Sequence, residues 1–223
     1  MVEGGGAPVE WRGAVPVSRR FGDPYFSLED GLAEARHVFL GGNGLPERAR
    51  PGFRILEMGF GTGLNCLATL AALRRAGQAG PVFYTAFEAY PLAPGDRARA
   101  LAAFPELSRE AVELDGLLAR GGGPHALGPL VLTLVTGDAR ETLPAWTGEA
   151  DAAYLDGFAP ARNPEMWEAP LLAVLAARLA PGGTLATYSA AGAVRRALEA
   201  AGLLVERRPG FGRKRHMTVA RRP

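Results

Sequence analysis

The sequence predicts an α/β fold built on a mostly parallel sheet, with an antiparallel C-terminal strand at one side. Three observations carry the prediction. A short apolar run at Phe53, Ile55 and Leu56 leads through Glu57 into Gly59, Gly61 and Gly63, then into a helix whose apolar face includes Leu64, Leu67, Leu70 and Leu73. Four further apolar runs, at 82–87, 130–135, 151–155 and 184–188, are each followed by a helical pattern, the alternation of a doubly wound sheet. Four acids, Glu57, Glu88, Asp138 and Asp156, fall at the C-terminal ends of these runs, where open α/β sheets bind their ligands.

In chain order, residues 1–17 are rich in glycine and proline and read as a loose arm with an edge strand. Ser27 or Asp30 caps a helix running to about Phe39, stopped by Gly41-Gly42-Asn43-Gly44. Tyr25 and Phe26, just before it, either stack on a base or staple the helix. Residues 1–50 are therefore expected as an extension packed on a core domain of residues 51–223. After the glycine turn and its helix, the strand 82–87 ends at Glu88, the distance past the glycines at which a carboxylate meets two ribose hydroxyls. A helix at 95–104 follows. Residues 105–129 break the alternation and read as an inserted helix and a GGGP loop. The strand 130–135 ends in Thr136-Gly137-Asp138, where a carboxylate can accept from an exocyclic adenine amine. The strand 151–155 opens into DGFAPARNPEMW, residues 156–167, and residues 203–207 and 216–220 form the closing pair of strands.

The glycine spacing separates two ligand classes. A dinucleotide site wants G-x-G-x-x-G, and Leu64 stands where the third glycine would fall. That spacing, with no evident hydride-transfer constellation, disfavours a nicotinamide oxidoreductase.

A chain of 223 residues with 48% hydrophobic residues suits one domain of ordinary size. No uninterrupted apolar run reaches membrane-spanning length, and the start lacks a basic segment followed by an apolar core, so a cytoplasmic protein without a signal peptide is expected. The single cysteine, Cys66, and a His37 without nearby partners point to no disulfide and no metal site. Charge is unevenly spread. From Val194 onward, nine basic residues face Glu199 and Glu206, on a body that is mildly acidic. Such an end suits either a polyanionic partner or a solvated arginine face.

The pattern E-x-G-x-G-x-G resembles the first motif of the S-adenosylmethionine-dependent methyltransferases with a Rossmann-like sheet. More specifically, DPYFSLEDGLAEARHVFLGGN, EMGFGTGLN, FEAYPL, LDGFAPARNPEMW, APGGTLATYSAAGAVRRALEAAG and RPGFGRKRHM, spanning Asp23 to Met217, resemble the methyltransferase domain of the MnmC family. The resemblance implies methyl transfer from S-adenosylmethionine to 5-aminomethyl-2-thiouridine at the tRNA wobble position. It implies cofactor contacts at Glu57, Gly59, Gly61, Gly63, Asn65, Glu88 and Asp138, and substrate contacts at Tyr25, Phe26, Phe158, Pro160, Asn163 and Trp167. Arg195, Arg196, Arg207, Arg208, Arg213, Lys214 and Arg215 would hold the tRNA backbone. Asp156 either orients the acceptor amine and takes its proton or caps the following loop, and Trp167 either encloses the base or belongs to the core. No second glycine fingerprint of an FAD-dependent oxidase is found, so the amine is expected ready-made or from another enzyme. Two rival readings are a methyltransferase of small amines and an inactive RNA-binding relative.

Overall fold

The structure, a computed structural model, describes residues 6–121 and 123–223. The first five residues of the expected arm, and Gly122 of the GGGP loop, lie outside the described residues.

Within the arm, β1 (Val9–Arg12) and β2 (Val15–Ser18) pair antiparallel as a separate hairpin, so the expected edge strand is half of its own two-stranded sheet. Asp30 rather than Ser27 caps α1 (Gly31–Ala35), accepting from the Ala33 N–H at 2.8 Å. The helix then widens into a π-helical stretch, Arg36–Gly41, that buries Val38, Phe39 and Leu40.

The glycine motif follows β3 (Arg54–Met58) and precedes α2 (Leu64–Arg75). The alternation continues with β4 (Val82–Glu88), α3 (Pro94–Leu101), α4 (Ser108–Leu118), β5 (His125–Leu127), β6 (Leu130–Thr136), α5 (Ala139–Ala145), β7 (Ala150–Leu155), α6 (Ala169–Ala177), β8 (Leu179–Thr187), α7 (Gly192–Ala200), β9 (Leu204–Pro209) and β10 (His216–Arg221). The eight-stranded sheet has the order β5-β6-β4-β3-β7-β8-β10-β9. β6, β4, β3, β7 and β8 run parallel, and β10 is antiparallel to both neighbours. The glycine motif thus sits on the central strand, and every β3 residue after Arg54 is buried.

Alternation along β3 divides the core. Ile55 faces a cluster with α1, the π-helical stretch, α2 and α4, while Leu56 and Met58 face a second cluster with α5, α6 and α7. The N-terminal residues Leu32, Val38, Phe39, Leu40 and Leu45 belong to the first cluster, together with Phe53 and Leu67.

Three boundaries differ from the sequence reading. α3 ends at Leu101, with Phe104 extended before Pro105, because a residue preceding proline disfavours the helical region. β5 is a three-residue antiparallel strand on β6 within the insertion, too short for its alternation to be read. β8 begins at Leu179 and passes through Pro181-Gly182-Gly183 with a register shift against β7, so residues that read as a turn are an irregular start of the strand.

Asn43 ties the N-terminal segment to the sheet. Its side chain donates to Phe39 O at 2.9 Å and Ala153 O at 3.3 Å, and accepts from Thr184 Oγ1 at 2.6 Å. Asn43→Ala leaves buried β7 and β8 groups with fewer partners, so stability falls by about 1–3 kcal/mol in denaturant titration, still in a single transition.

Candidate active site

A cavity of about 740 Å³ opens at the C-terminal ends of the parallel strands. Its floor includes Gly59, Gly61, Asn65, Glu88, Asp138 and Asp156, and its roof comes from segments near Tyr25, Glu34 and Lys214.

The floor is set by the turn after β3. Gly59 has φ +94°, and a Cβ there would lie 2.0 Å from Asp156 O, so only glycine fits between the two strand ends. Asp156 N–H donates back to Met58 O at 3.0 Å, and Gly59 N–H donates to Phe87 O at 2.9 Å. Gly63 does not line the cavity. A Cβ there would meet Phe60 at 2.9 Å and Leu114 at 3.0 Å, so this glycine lets the turn close under the insertion helix.

Four carboxylates expected at strand ends have different environments. Glu88 lines the cavity, its Oε2 accepting from Gly61 N–H at 2.8 Å and Oε1 from Tyr90 N–H at 2.7 Å, with the Phe60 and Ala89 N–H groups also turned to the carboxylate. Burial pushes its carboxyl up, opposed by those backbone donors. Glu57 is fully buried behind the cavity wall rather than on it. Its Oε1 accepts from Asn65 Nδ2 at 2.9 Å while Oε2 has no hydrogen-bond partner, and burial pushes this carboxyl well above the usual range. Asn65 Nδ2 also donates to Asp156 Oδ2 at 2.6 Å, so one amide joins the two acids. Asp156 is raised to about 7, chiefly by burial, with Asn65 opposing the rise. Asp138 lines the cavity, but its carboxylate caps α5 and clasps the Arg140 guanidinium at 2.6–3.1 Å, which holds it below the usual carboxylate range.

An aromatic wall stands opposite the acids. The Phe158 ring lies 5.0 Å from Tyr25 and 4.9 Å from Phe21, centroid to centroid. Phe26 lines the cavity too while packing 5.1 Å from Phe104, so its ring serves the core as well. The loop carrying Phe158 is pinned from three elements. Asp23 Oδ2 accepts from Ala159 N–H at 2.8 Å, Trp167 Nε1 donates to Phe158 O at 2.8 Å, and Tyr188 Oη donates to Gly157 O at 2.7 Å. Trp167 is 7% exposed and does not line the cavity, which corrects its expected contact with a base: its indole is a strut for the loop. Pro160 also lies off the cavity wall, whereas Asn163 is on it.

Sequence reasoning passed over Phe21, Asp23, Glu34 and Tyr188. Asp23 and Glu34 lie within the matched segment DPYFSLEDGLAEA, but only the fold shows where they reach.

The basic end is not one surface. Only Arg213 and Lys214 of its seven expected backbone contacts line the cavity. Arg208 pairs with Glu206 at 2.9 Å, Arg213 with Glu29 at 2.7 Å and Lys214 with Glu34 at 2.7 Å. Val205 packs on the second core cluster, so strand alternation puts Arg207 on the α7 face, with Arg208 opposite. Arg195 and Arg196 ride on α7, where Arg195 Nε is buried without a partner, and Arg215 is exposed beside Lys214.

Residues 124–223 match a family described as S-adenosyl-L-methionine-dependent methyltransferase. The fold is one found in methyltransferases, and residues 124–223 carry this family's sequence. Among similar proteins is the tRNA 5-methylaminomethyl-2-thiouridine biosynthesis bifunctional protein MnmC of Caulobacter vibrioides, 48% identical over 97% of this chain and 38% of that protein. The MnmC protein of Ralstonia nicotianae is 48% identical over 93% of this chain and 33% of its own length. The chain thus spans under two-fifths of these relatives. The crystal structure of MNMC2 from Aquifex aeolicus superposes with a TM-score of 0.78 at 27% identity, covering 98% of this chain and 71% of that one. A methyltransferase from Pyrococcus furiosus shares the fold, with a TM-score of 0.50 at 17% identity, covering 96% of this chain and 87% of that one. The similarity to the MnmC proteins therefore extends over nearly the whole chain.

Among the described residues, no helix is long and apolar enough to cross a membrane, and no group of three His, Cys, Asp or Glu is arranged to hold a metal ion.

Gly59→Ala places a Cβ against Asp156 O in a backbone region unfavourable to L-residues. S-adenosylmethionine binding, measured by calorimetry, weakens at least about tenfold, with a lowered melting temperature.

Proposed function

We propose that the protein methylates the amine of 5-aminomethyl-(2-thio)uridine at the tRNA wobble position, giving 5-methylaminomethyl-(2-thio)uridine. The observation that carries the reading is Asp156: a carboxyl with a value of about 7, beside a glycine-rich cradle and across from aromatic rings in one cavity. The MnmC relatives, named for 5-methylaminomethyl-2-thiouridine biosynthesis in tRNA, suggest the acceptor.

The site suits S-adenosylmethionine. The glycine turn leaves backbone exposed where a Cβ would intrude, and Glu88 stands on the cavity wall at the end of β4, the strand-end position at which a carboxylate meets ribose hydroxyls. Asp138 would receive the adenine amine only alongside Arg140. When bound, the sulfonium supplies an activated methyl group. The chain's own task is then positioning and proton management. Phe158 and Tyr25 present ring faces and edges to an extruded base, and the three hydrogen bonds on loop 157–159 hold that wall in place. An alkylamine is mostly protonated near neutrality, and only its neutral form has the lone pair that attacks. Asp156, oriented by Asn65, accepts a proton from this amine. Arginines of the α7 and β9 faces support the tRNA backbone, which makes binding salt-dependent. On this reading, a separate activity supplies the aminomethyl group, and the protein works in the cytoplasm, where tRNA is modified.

Labelled S-adenosylmethionine transfers methyl to tRNA bearing 5-aminomethyluridine and not to unmodified tRNA; label in neither, with the cofactor still bound, refutes the acceptor assignment. Asp156→Asn lowers kcat/KM by roughly 100-fold or more with cofactor binding retained.

In the wild type, kcat/KM rises with pH through about 7 and falls about tenfold per unit below it, because the carboxylate is the active form. The fold favours neutral Asp156, so its contribution to stability is present in acid and lost as pH rises through about 7. A rate profile flat from pH 5 to 8 would remove Asp156 as the base.

A further inference from the structure

Lys214 was grouped by sequence with the phosphate-binding arginines, yet its side chain, 45% exposed, reaches back to the rim of the cavity. Nζ lies 2.7 Å from Glu34 Oε1 and 4.1 Å from the centroid of Tyr188. Glu34 is only 12% exposed at its side chain, and Tyr188 Oη is hydrogen-bonded to Gly157, the residue after Asp156. The neighbouring Arg213 differs: it is 93% exposed and reaches outward to Glu29. An ammonium tied to a sheltered carboxylate and laid over an aromatic ring is poorly placed to follow a mobile phosphate backbone.

Resting on the amine methylation proposed above, we infer that Lys214 is a positioning residue for that reaction: a fixed cation, anchored by Glu34 and Tyr188, that opposes protonation of the acceptor amine. The groups that face Asp156 come from several elements. Glu57 and Asn65 approach from β3 and α2, Glu34 from within α1, Tyr188 from after β8, and Lys214 from the turn between β9 and β10, while Asp23 acts on Tyr188. The other cations on the cavity wall are engaged elsewhere, Arg140 with Asp138, Arg213 with Glu29 and Arg20 over Tyr90. Lys214 is the cation that acts on Asp156, and Glu34 acts on it with the opposite sign. With both present the two charges offset, and Asp156 remains as the base. With Lys214 removed, a bare Glu34 carboxylate stabilises both the substrate ammonium and the protonated form of Asp156. The reaction then requires more alkaline conditions.

The test is the pH dependence of kcat/KM on tRNA bearing 5-aminomethyluridine, with cofactor binding checked by calorimetry for every variant. Lys214→Met moves the midpoint up by about one pH unit, lowering the rate about tenfold near neutrality and recovering it in alkali. Glu34→Gln combined with Lys214→Met moves the midpoint back toward the wild type, because the uncompensated carboxylate is gone. Lys214→Arg, which keeps the charge, holds the wild-type midpoint. The salt dependence of tRNA binding is the same for Lys214→Met as for the wild type. A wild-type pH profile in Lys214→Met together with a shallower salt slope overturns the inference and returns Lys214 to the phosphate contacts. A loss uniform across pH, with no recovery in the double variant, also overturns it and leaves a structural role. If the wild type itself transfers no methyl to this tRNA while binding the cofactor, the failure lies in the acceptor assignment, and the role of Lys214 falls with it.

Discussion

The site depends on the contact between the end of β3 and the end of β7. Gly59 occupies a space in which any Cβ would collide with Asp156 O, and Asp156 N–H is bonded back to Met58 O. That closeness lets a single amide, Asn65 at the start of α2, reach both Glu57 and Asp156. It also brings Gly61 N–H to Glu88 at the end of β4. The glycine turn and the Asp156 carboxyl are therefore one construction, and a larger residue at Gly59 would separate them.

Gathering carboxylates in a low-dielectric cavity is costly unless each has a different compensation. Glu57 is sealed away and favours its neutral form; Glu88 is held by backbone donors; Asp138 is neutralised by Arg140; Asp156 has Asn65 and the field of Lys214. One chemical group thus yields four behaviours. Asp156, facing the cavity, is raised to about 7, so it changes protonation near neutrality.

The N-terminal residues contribute to the cavity as well as to the core. Asp23 pins the Phe158 loop, Tyr25 meets the Phe158 ring, and Glu34 holds Lys214 from the far end of the chain. Residues 23–34 and 211–214, distant in sequence, form one roof over acids set by the parallel strands.

The sequence by itself determined the strand–turn–helix around Gly59, the acids at four strand ends, the antiparallel C-terminal strand and the loop from Asp156 to Trp167. These are local patterns: apolar periodicity fixes elements, and glycine spacing marks where backbone must turn or be approached. What it left open were partnerships across the fold. The periodicity of residues 164–175 is the same whether the Trp167 indole faces a base or braces Phe158 O. A basic count cannot tell that Arg208 and Arg213 pair with exposed glutamates while Lys214 pairs with the sheltered carboxylate of Glu34. Nor could β5 be read from three residues, or Asp138 known to be claimed by a neighbour two positions away. Only the tertiary structure decided these, because an ion pair or hydrogen bond between residues 180 positions apart leaves no periodicity in the chain.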